Sequence, residues 1–293
     1  MRNSKDESPL YLFDCHFAEK MGLATGREDC DAYTPPKCFS PDLFSTLGSH
    51  RPDHRWLIIG PARSGSTFHA DPNGTSAWNA VIRGSKYWIM FPPVADPAAN
   101  PMPGLHISSD SSEITAPLSI AEYLLNFHAE ARRHPGCVEA VCKEGEVLHV
   151  PSGWYHMVLN LEDGIALTQN FVPRAHLVNV LSFLRDKKDQ VSGFGRDDVD
   201  DKYKGVEEGQ EYELFVDRLR EKYPDELAIA LKELAALDER KGRKSRWEVL
   251  TGKHEEADIN GAAAEASTGF SFGFGFGVAG ESDESDDDED GDL

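Results

Sequence analysis

The sequence predicts a mostly β domain, a sandwich or barrel, with added helices behind it and a disordered acidic tail. Three observations predict this. From Arg55 to Pro173 the chain breaks into short apolar runs divided by Gly, Pro, Asn and Asp, as strands joined by turns require. After Pro173 the apolar spacing lengthens from two residues to about 3.6, the period of a helix packed on one face. Beyond residue 250 a Glu/Ala/Gly stretch, the run FSFGFGFG and the ending ESDESDDDEDGDL offer too little to bury. With 40% apolar and 10% aromatic residues, the 293-residue chain still has material for a real core.

The elements follow in order. Residues 1–54 are loop-rich, with a first strand at Leu10–Phe13 and a short helix over PDLFSTLG. Pro41 suits the first turn of that helix. Residues 55–175 hold strands in RWLIIG, STFHAD, WNAVIR, KYWIMF, CVEAVC, EVLHVP, YHMVLNL and IALTQNF. Gly84-Ser85 and Glu162-Asp163-Gly164 have the composition of tight hairpin turns. Residues 94–118 form a Pro/Ala/Ser-rich loop, long enough in a compact domain to imply a role. SIAEYLLNFHAEARRH is a helix, opened by Ser119 and Glu122 as a capping box and closed by Pro135-Gly136. In 176–250, Leu177, Leu181 and Leu184 form one stripe. Tyr212, Phe215, Val216, Leu219 and Tyr223 form a second, and Leu227, Leu231 and Leu234 a third. These faces pack on the β domain or on a second copy. Residues 251–293 are the disordered tail.

Charge and cysteine content narrow the class. A net charge of −21 disfavours bare nucleic acid as a partner. Residues 281–293 hold nine acids and no base, however, which leaves about −12 on the rest. That acidic end is a solubilising segment or one that faces a basic, Lys/Arg-rich protein. The cluster Arg240-Lys241-Gly242-Arg243-Lys244-Ser245-Arg246 is a solvated helix end or a nuclear-localisation patch. Five cysteines without a CxxC argue against a disulfide framework. MRNSKDESPLYLFD lacks the apolar centre of a signal peptide, and no apolar run approaches the roughly 20 residues that span a bilayer. The expectation is an intracellular protein, in nucleus and/or cytoplasm, with no membrane partner.

The chemistry concentrates in a few side chains. His69 and Asp71 stand two apart in a strand-like segment, and such residues share a face. His156, just after a Pro-Ser-Gly turn, is the third member. Two histidines and a carboxylate form the facial triad that holds ferrous iron and leaves positions open for a cosubstrate and O₂. Lys86 alternates onto one face with Trp88 and Met90. An ammonium among such neighbours calls for an anion, which a dicarboxylate cosubstrate supplies. Thr168 and Asn79 are placed to hydrogen-bond the same ligand.

At this point the sequence is recognisable. The runs GPARSGSTFHADPNGTSAWNAVIRGSKYWIMFPP and GEVLHVPSGWYHMVLNLEDGIALTQNF closely resemble the JmjC (Jumonji-C) oxygenases. SPLYLFD and PPKCFSPDLFSTLG point to the branch of bifunctional arginine demethylases and lysyl-hydroxylases. The likeness covers about residues 8–173 and reaches into the helices beyond. It implies a double-stranded β-helix (jelly-roll) core and Fe(II) at His69, Asp71 and His156. It also implies 2-oxoglutarate chelating that iron, with O₂ as co-reactant. The distal carboxylate of the cosubstrate would be gripped by Lys86, Thr168 and Tyr11, with Asn79 nearby. Ser66 stands where the branch has threonine and keeps the hydroxyl; Asn170 and Trp154 line the same region. Members of the branch carry a longer region ahead of the first matching strand. The implied activity is hydroxylation of a protein side chain, as lysyl C5 hydroxylation, methyl-arginine demethylation or both. The alternative is a catalytically weak scaffold acting through its helices and tail. Relatives dimerise through C-terminal helices, which makes a homodimer an expectation as well.

Overall fold

The computed structural model describes residues 9–22, 33–94, 101–108, 111–194 and 209–251. Its elements in chain order begin with β1 (Leu12–Asp14), α1 (Phe17–Lys20), β2 (Arg55–Gly60), β3 (Gly65–His69), β4 (Ser76–Arg83) and β5 (Ser85–Phe91). Then come β6 (His106–Ile107), β7 (Ile114–Thr115), α2 (Ile120–Asn126), α3 (His128–Ala131), β8 (Val138–Lys143) and β9 (Val147–Val150). The chain continues through β10 (Tyr155–Asn160), β11 (Gly164–Phe171), α4 (Leu177–Asp186), α5 (Glu211–Lys222) and α6 (Pro224–Thr251). All eight strands expected between Arg55 and Pro173 are present.

The two main sheets run β1-β2-β11-β4-β9 and β3-β10-β5-β8, with antiparallel neighbours throughout. Their inner faces share one apolar layer. Ala77, Val81 and Val150 come from the first sheet, and Trp88, Met90, Cys142 and Val158 from the second. From β2 to β5, and again from β8 to β11, consecutive strands alternate between the two sheets, as in a double-stranded β-helix. The two tight hairpins expected from sequence are a consequence misread. Gly84 leads from β4 into β5, and Glu162-Asp163-Gly164 from β10 into β11, yet each pair lies in different sheets. These turns are corners. They also touch: a Cβ on Gly84, whose φ is +83°, would lie 2.8 Å from the Asp163 carbonyl oxygen. Turn composition reports that the chain bends, while the partner of each strand is set by long-range packing.

Both outer faces are covered. Tyr123, Ile120, Ala131, Met102 and Ile107 pack over Phe68, Ile89, Phe91 and Met157 of the four-stranded sheet. That is why β5 is apolar on both faces rather than alternating. Ser119 accepts a hydrogen bond from Glu122 N at 3.0 Å, as the capping pattern foretold. The helix breaks at Phe127, however, and resumes as α3. The loop expected over 94–118 carries the small β6-β7 ladder among its described residues. On the other sheet, Phe17, Tyr33 and Phe39 pack over Trp78, Leu167 and Phe171.

The helical stripes are consumed by the chain's own third layer. Leu177, Leu181, Leu184, Phe215, Leu219, Leu227 and Leu234 are buried with Leu43, Phe44 and Leu47. Each such side chain contributes about 1.5–3 kcal/mol. The segment Leu43–His50 is a 3-10 helix capped by Asp42 rather than begun at Pro41. Asp42 Oδ1 also accepts from Val172 N at 3.0 Å, and Arg51 pairs with Asp42 while donating to the Asn170 carbonyl at 3.2 Å. This clasp ties the N-terminal segment to the end of β11. By contacts the chain divides into Met1–Ser245 and Arg246–Leu293; the described part of the latter is the last turns of α6. The tail expected to be disordered, past Thr251, lies outside the described residues. No helix among the described residues is long and apolar enough to cross a membrane.

Candidate active site

The site grows from the pairing of β3 with β10. His69 and His156 stand directly opposite each other, whereas the next pair is Ser66 with Val158. One residue, Met157, thus faces both Thr67 and Phe68, a bulge in β3. The extra residue lets Ser66 and His69 both lie opposite inward positions of β10, although they are three apart. The ring centroids of His69 and His156 are 4.1 Å apart. Asp71 lies beyond the end of β3, in extended conformation ahead of the 3-10 turn Pro72–Gly74. It is brought to the histidines by the strand's exit rather than by strand alternation. Ligand atoms of His69, Asp71 and His156 all fall within 4.8 Å of one another.

Each group is prepared as a ligand. His69 Nδ1 donates to the Thr67 carbonyl at 2.8 Å, and His156 Nδ1 to the Trp154 carbonyl at 3.1 Å. Because a carbonyl only accepts, both protons sit on Nδ1, and Nε2 keeps the lone pair a metal needs. Burial, followed by the neighbouring His69, holds His156 well below the usual imidazole range, so it is neutral. Burial pushes the Asp71 carboxyl above its usual range, against the opposing pull of His69 and Asn170. Asp71 Oδ2 is buried with no hydrogen-bond partner. An unpartnered buried carboxylate oxygen beside two Nε2 lone pairs is what a divalent cation satisfies, so the residues fit Fe(II).

The Asp71 turn is anchored by residues the sequence did not flag. Asn73, at φ +56°, donates to the Ser192 carbonyl at 2.9 Å and accepts from Ser192 N at 3.1 Å. Ser152 Oγ donates to the Gly74 carbonyl at 2.6 Å and accepts from Asn179 of α4 at 3.3 Å. The turn before His156, the turn after Asp71 and α4 are thereby fastened together. Asn170 Nδ2 donates to Thr75 Oγ1 at 3.2 Å on the same side.

At the other end of β10 lies the second half of the site. Lys86 is directly across from Asn160, on the face that β10 alternation gives to His156 and Val158. Only 5% of Lys86 is exposed, and its Nζ donates to Asn160 Oδ1 at 2.6 Å. Burial lowers its pKa to about 8. No carboxylate pairs with it among the described residues. Asn160 Nδ2 in turn donates to Ser64 Oγ at 2.8 Å. Tyr11 converges here too: a Cβ on Gly60 would meet Ser64 Oγ at 2.5 Å, the Tyr11 Cβ at 2.7 Å and Asn160 Nδ2 at 3.0 Å. Burial raises the Tyr11 phenol. Ser64 and Asn160 escaped the sequence reading. Asn160 had a signal, being four residues along the same strand face from His156.

The remaining expected contacts come from the five-stranded sheet. Asn79 and Thr168 are direct partners on β4 and β11. Asn79 is buried, and its Oδ1 has no partner. The Thr168 hydroxyl donates to the Trp78 carbonyl at 3.0 Å, so in this state its proton is engaged with backbone. Trp154 packs at the edge of the inner apolar layer. Arg63, at φ +72°, donates its backbone N–H to the Asn160 carbonyl at 2.7 Å, a structural role. His149 ring-stacks on His176 at 6.3 Å and belongs to the outer packing.

A jelly roll with two histidines and a carboxylate at one end of the inner face, and a buried unpaired lysine further along it, defines a metal-dependent oxygenase type of site. Residues 56–171 match the family described as JmjC domain, hydroxylase, and this part of the chain is a JmjC domain. Over 207 residues the chain is 49% identical to the arginine-specific demethylase JMJ22 of Arabidopsis thaliana, covering 69% of this chain and 39% of that protein. It is 39% identical over 192 residues to the bifunctional arginine demethylase and lysyl-hydroxylase psr-1 of Caenorhabditis elegans, covering 61% and 44%. It is 31% identical over 180 residues to the human 2-oxoglutarate and iron-dependent oxygenase JMJD4, covering 61% and 40%. The chain thus spans well under half the length of these relatives.

Proposed function

We propose that the chain is an Fe(II)- and 2-oxoglutarate-dependent dioxygenase that hydroxylates a protein side chain. Its substrate would be lysine, methyl-arginine or both, and its co-products succinate and CO₂. One observation carries the reading: the His69–Asp71–His156 cluster and the buried Lys86 lie on one inner face, joined by β10. At about 3.4 Å per residue, the four-residue offset from His156 to Asn160 is about 14 Å of strand. A lysine side chain and a five-carbon diacid together bridge that interval.

When bound, Fe(II) with 2-oxoglutarate and O₂ supplies the oxidising chemistry that inserts oxygen into a C–H bond. The chain's own groups do the rest. His69, Asp71 and His156 would hold the metal. Lys86 anchors the distal carboxylate, with Tyr11, Ser66, Thr168 and Asn79 completing the hydrogen bonds, while Asn170 serves the Asp71 end, where it donates to Thr75. Trp88, Met90 and Val158, buried in the inner apolar layer, lower the local polarity, which strengthens charged contacts beside them.

A scaffold without catalysis has no use for an unpartnered carboxylate oxygen and an unpaired ammonium. Both cost stability when nothing binds them. The test is turnover of 2-oxoglutarate to succinate by the full chain with Fe(II), ascorbate and arginine-methylated or lysine-rich peptides, the peptides weighed for oxygen gain and methyl loss. Activity lost in Asp71→Asn supports the reading; wild-type chain that binds Fe(II) but makes no succinate with any peptide overturns it. A homodimer, if the chain forms one, would use outward positions of the C-terminal helices such as the exposed Ile229, since their apolar stripe is buried internally. Light scattering at micromolar concentration decides that.

A further inference from the structure

We propose a second cation site at Cys15, His16 and Asp53, taking a borderline-soft divalent ion such as Zn(II) and fastening the N-terminal strand to the barrel. One ligand atom from each of the three lies within 4.8 Å of the other two. Tetrahedral Zn(II), with bonds of about 2.0–2.3 Å, keeps its ligand atoms about 3.5 Å apart, so closure by about an ångström completes the site. His16 and Asp53 are exposed and Cys15 is half-buried, so the side chains have room for that movement and the ion has a route in from solvent.

The topology explains the meeting. Cys15 and His16 follow β1 directly, and Asp53 precedes β2; because β1 and β2 pair with Asp14 opposite Leu57, the two flanks are adjacent. The local charge favours a cation. Burial, then the Asp53 charge and its hydrogen bond, push the Cys15 thiol up to about 11, and Asp14 acts in the same direction. Lys20 is the facing cation, and it is engaged with Asp14 at 3.1 Å. A thiol proton held against a carboxylate is what a metal displaces: the S–H bond breaks, an S–metal bond forms, the proton leaves to solvent, and no electron is transferred. Thiolate with imidazole and carboxylate selects Zn(II) over Mg(II) or Ca(II), and water fills the fourth position.

The site has mechanical work to do. β1 is three residues long at the edge of its sheet, with Leu12 and Phe13 exposed. It begins next to Tyr11, which reaches the Ser64–Asn160 junction beside Lys86. A metal clip at the far end of so short a strand would hold Tyr11 in place.

Cadmium titration of the full chain tests this, because a thiolate–cadmium charge-transfer band cannot come from the cysteine-free His69–Asp71–His156 centre. The expected result is one such band, saturating at one Cd(II) per chain, displaced by Zn(II), retained in Asp71→Asn and absent in Cys15→Ser. His16→Ala and Asp53→Asn should each weaken Cd(II) binding at least about tenfold. No band in the wild-type chain at micromolar Cd(II), a band surviving Cys15→Ser, or unchanged affinity in both His16→Ala and Asp53→Asn would each overturn the proposal. Circular dichroism of each variant separates loss of the site from loss of the fold.

Discussion

Lys86→Met should stabilise the ligand-free protein or leave it unchanged while crippling its hold on the diacid. Burial drops the Lys86 pKa from 10.5 to about 8. At roughly 1.4 kcal/mol per pH unit, keeping the ammonium charged at neutral pH costs the fold about 3 kcal/mol. Methionine keeps the apolar stem and removes that cost. It also leaves Asn160 Oδ1 without its 2.6 Å donor, a loss of about 1–3 kcal/mol. The balance lies between no change and a gain of about 2 kcal/mol, or up to several degrees in Tm. Binding goes the other way. Removing a buried, charge-assisted partner of the distal carboxylate costs about 3 kcal/mol, on the order of 100-fold in Kd. The metal ligands sit at the other end of β10 and should keep their affinity. Thermal unfolding without ligand, and calorimetric titration of 2-oxoglutarate with Mn(II) standing in for iron, measure both quantities. A Tm lowered by more than about 5 °C would make Lys86 a structural residue, and a Kd raised less than about fivefold would remove it from the diacid site.

Two further outcomes follow from the same site. Lysine with a lowered folded pKa penalises the fold fully below about pH 8, and the penalty is relieved as pH rises toward 10.5. Diacid affinity should therefore be flat below about pH 8 and weaken up to tenfold per unit above it; Lys86→Arg, which stays charged, should abolish the dependence. Asn73→Ala removes two hydrogen bonds to Ser192 and puts a Cβ-bearing residue without a side-chain tether at φ +56°. A loss of about 2–3 kcal/mol is expected in urea unfolding, with metal affinity falling about tenfold as the Asp71 turn loosens; an unchanged metal affinity would detach the turn from the site.

Much of this site was legible because its chemistry is local. His69 and Asp71 are two residues apart, His156 follows a marked turn, and Lys86 stands out as the charged member of an apolar alternation. What was not legible is long-range. The Ser64–Asn160–Lys86 chain joins residues 96 and 74 positions apart, and only strand register brings them together. The bulge in β3 has no composition of its own, and alternation alone does not put Ser66 and His69, three apart, on one face. The corners at Gly84 and Asp163 carry hairpin residues because a sharp bend needs the same backbone freedom whichever sheet comes next. The C-terminal stripes were visible as helices, and so was the short helix over PDLFSTLG, but these partners lie well over a hundred residues apart and nothing local in either names the other.

The bracing of the Asp71 turn bears on where this chain can be cut. Ser192 secures Asn73, Asn179 secures Ser152, and Phe183 stands 3.3 Å from where a Cβ on Gly74 would project. All three lie downstream of Phe171, where the match to the family model stops. An excised fragment ending there would retain His69, Asp71 and His156 and lose the buttress that aims Asp71, so a fragment that keeps the Asp71 turn in place extends at least through Ser192.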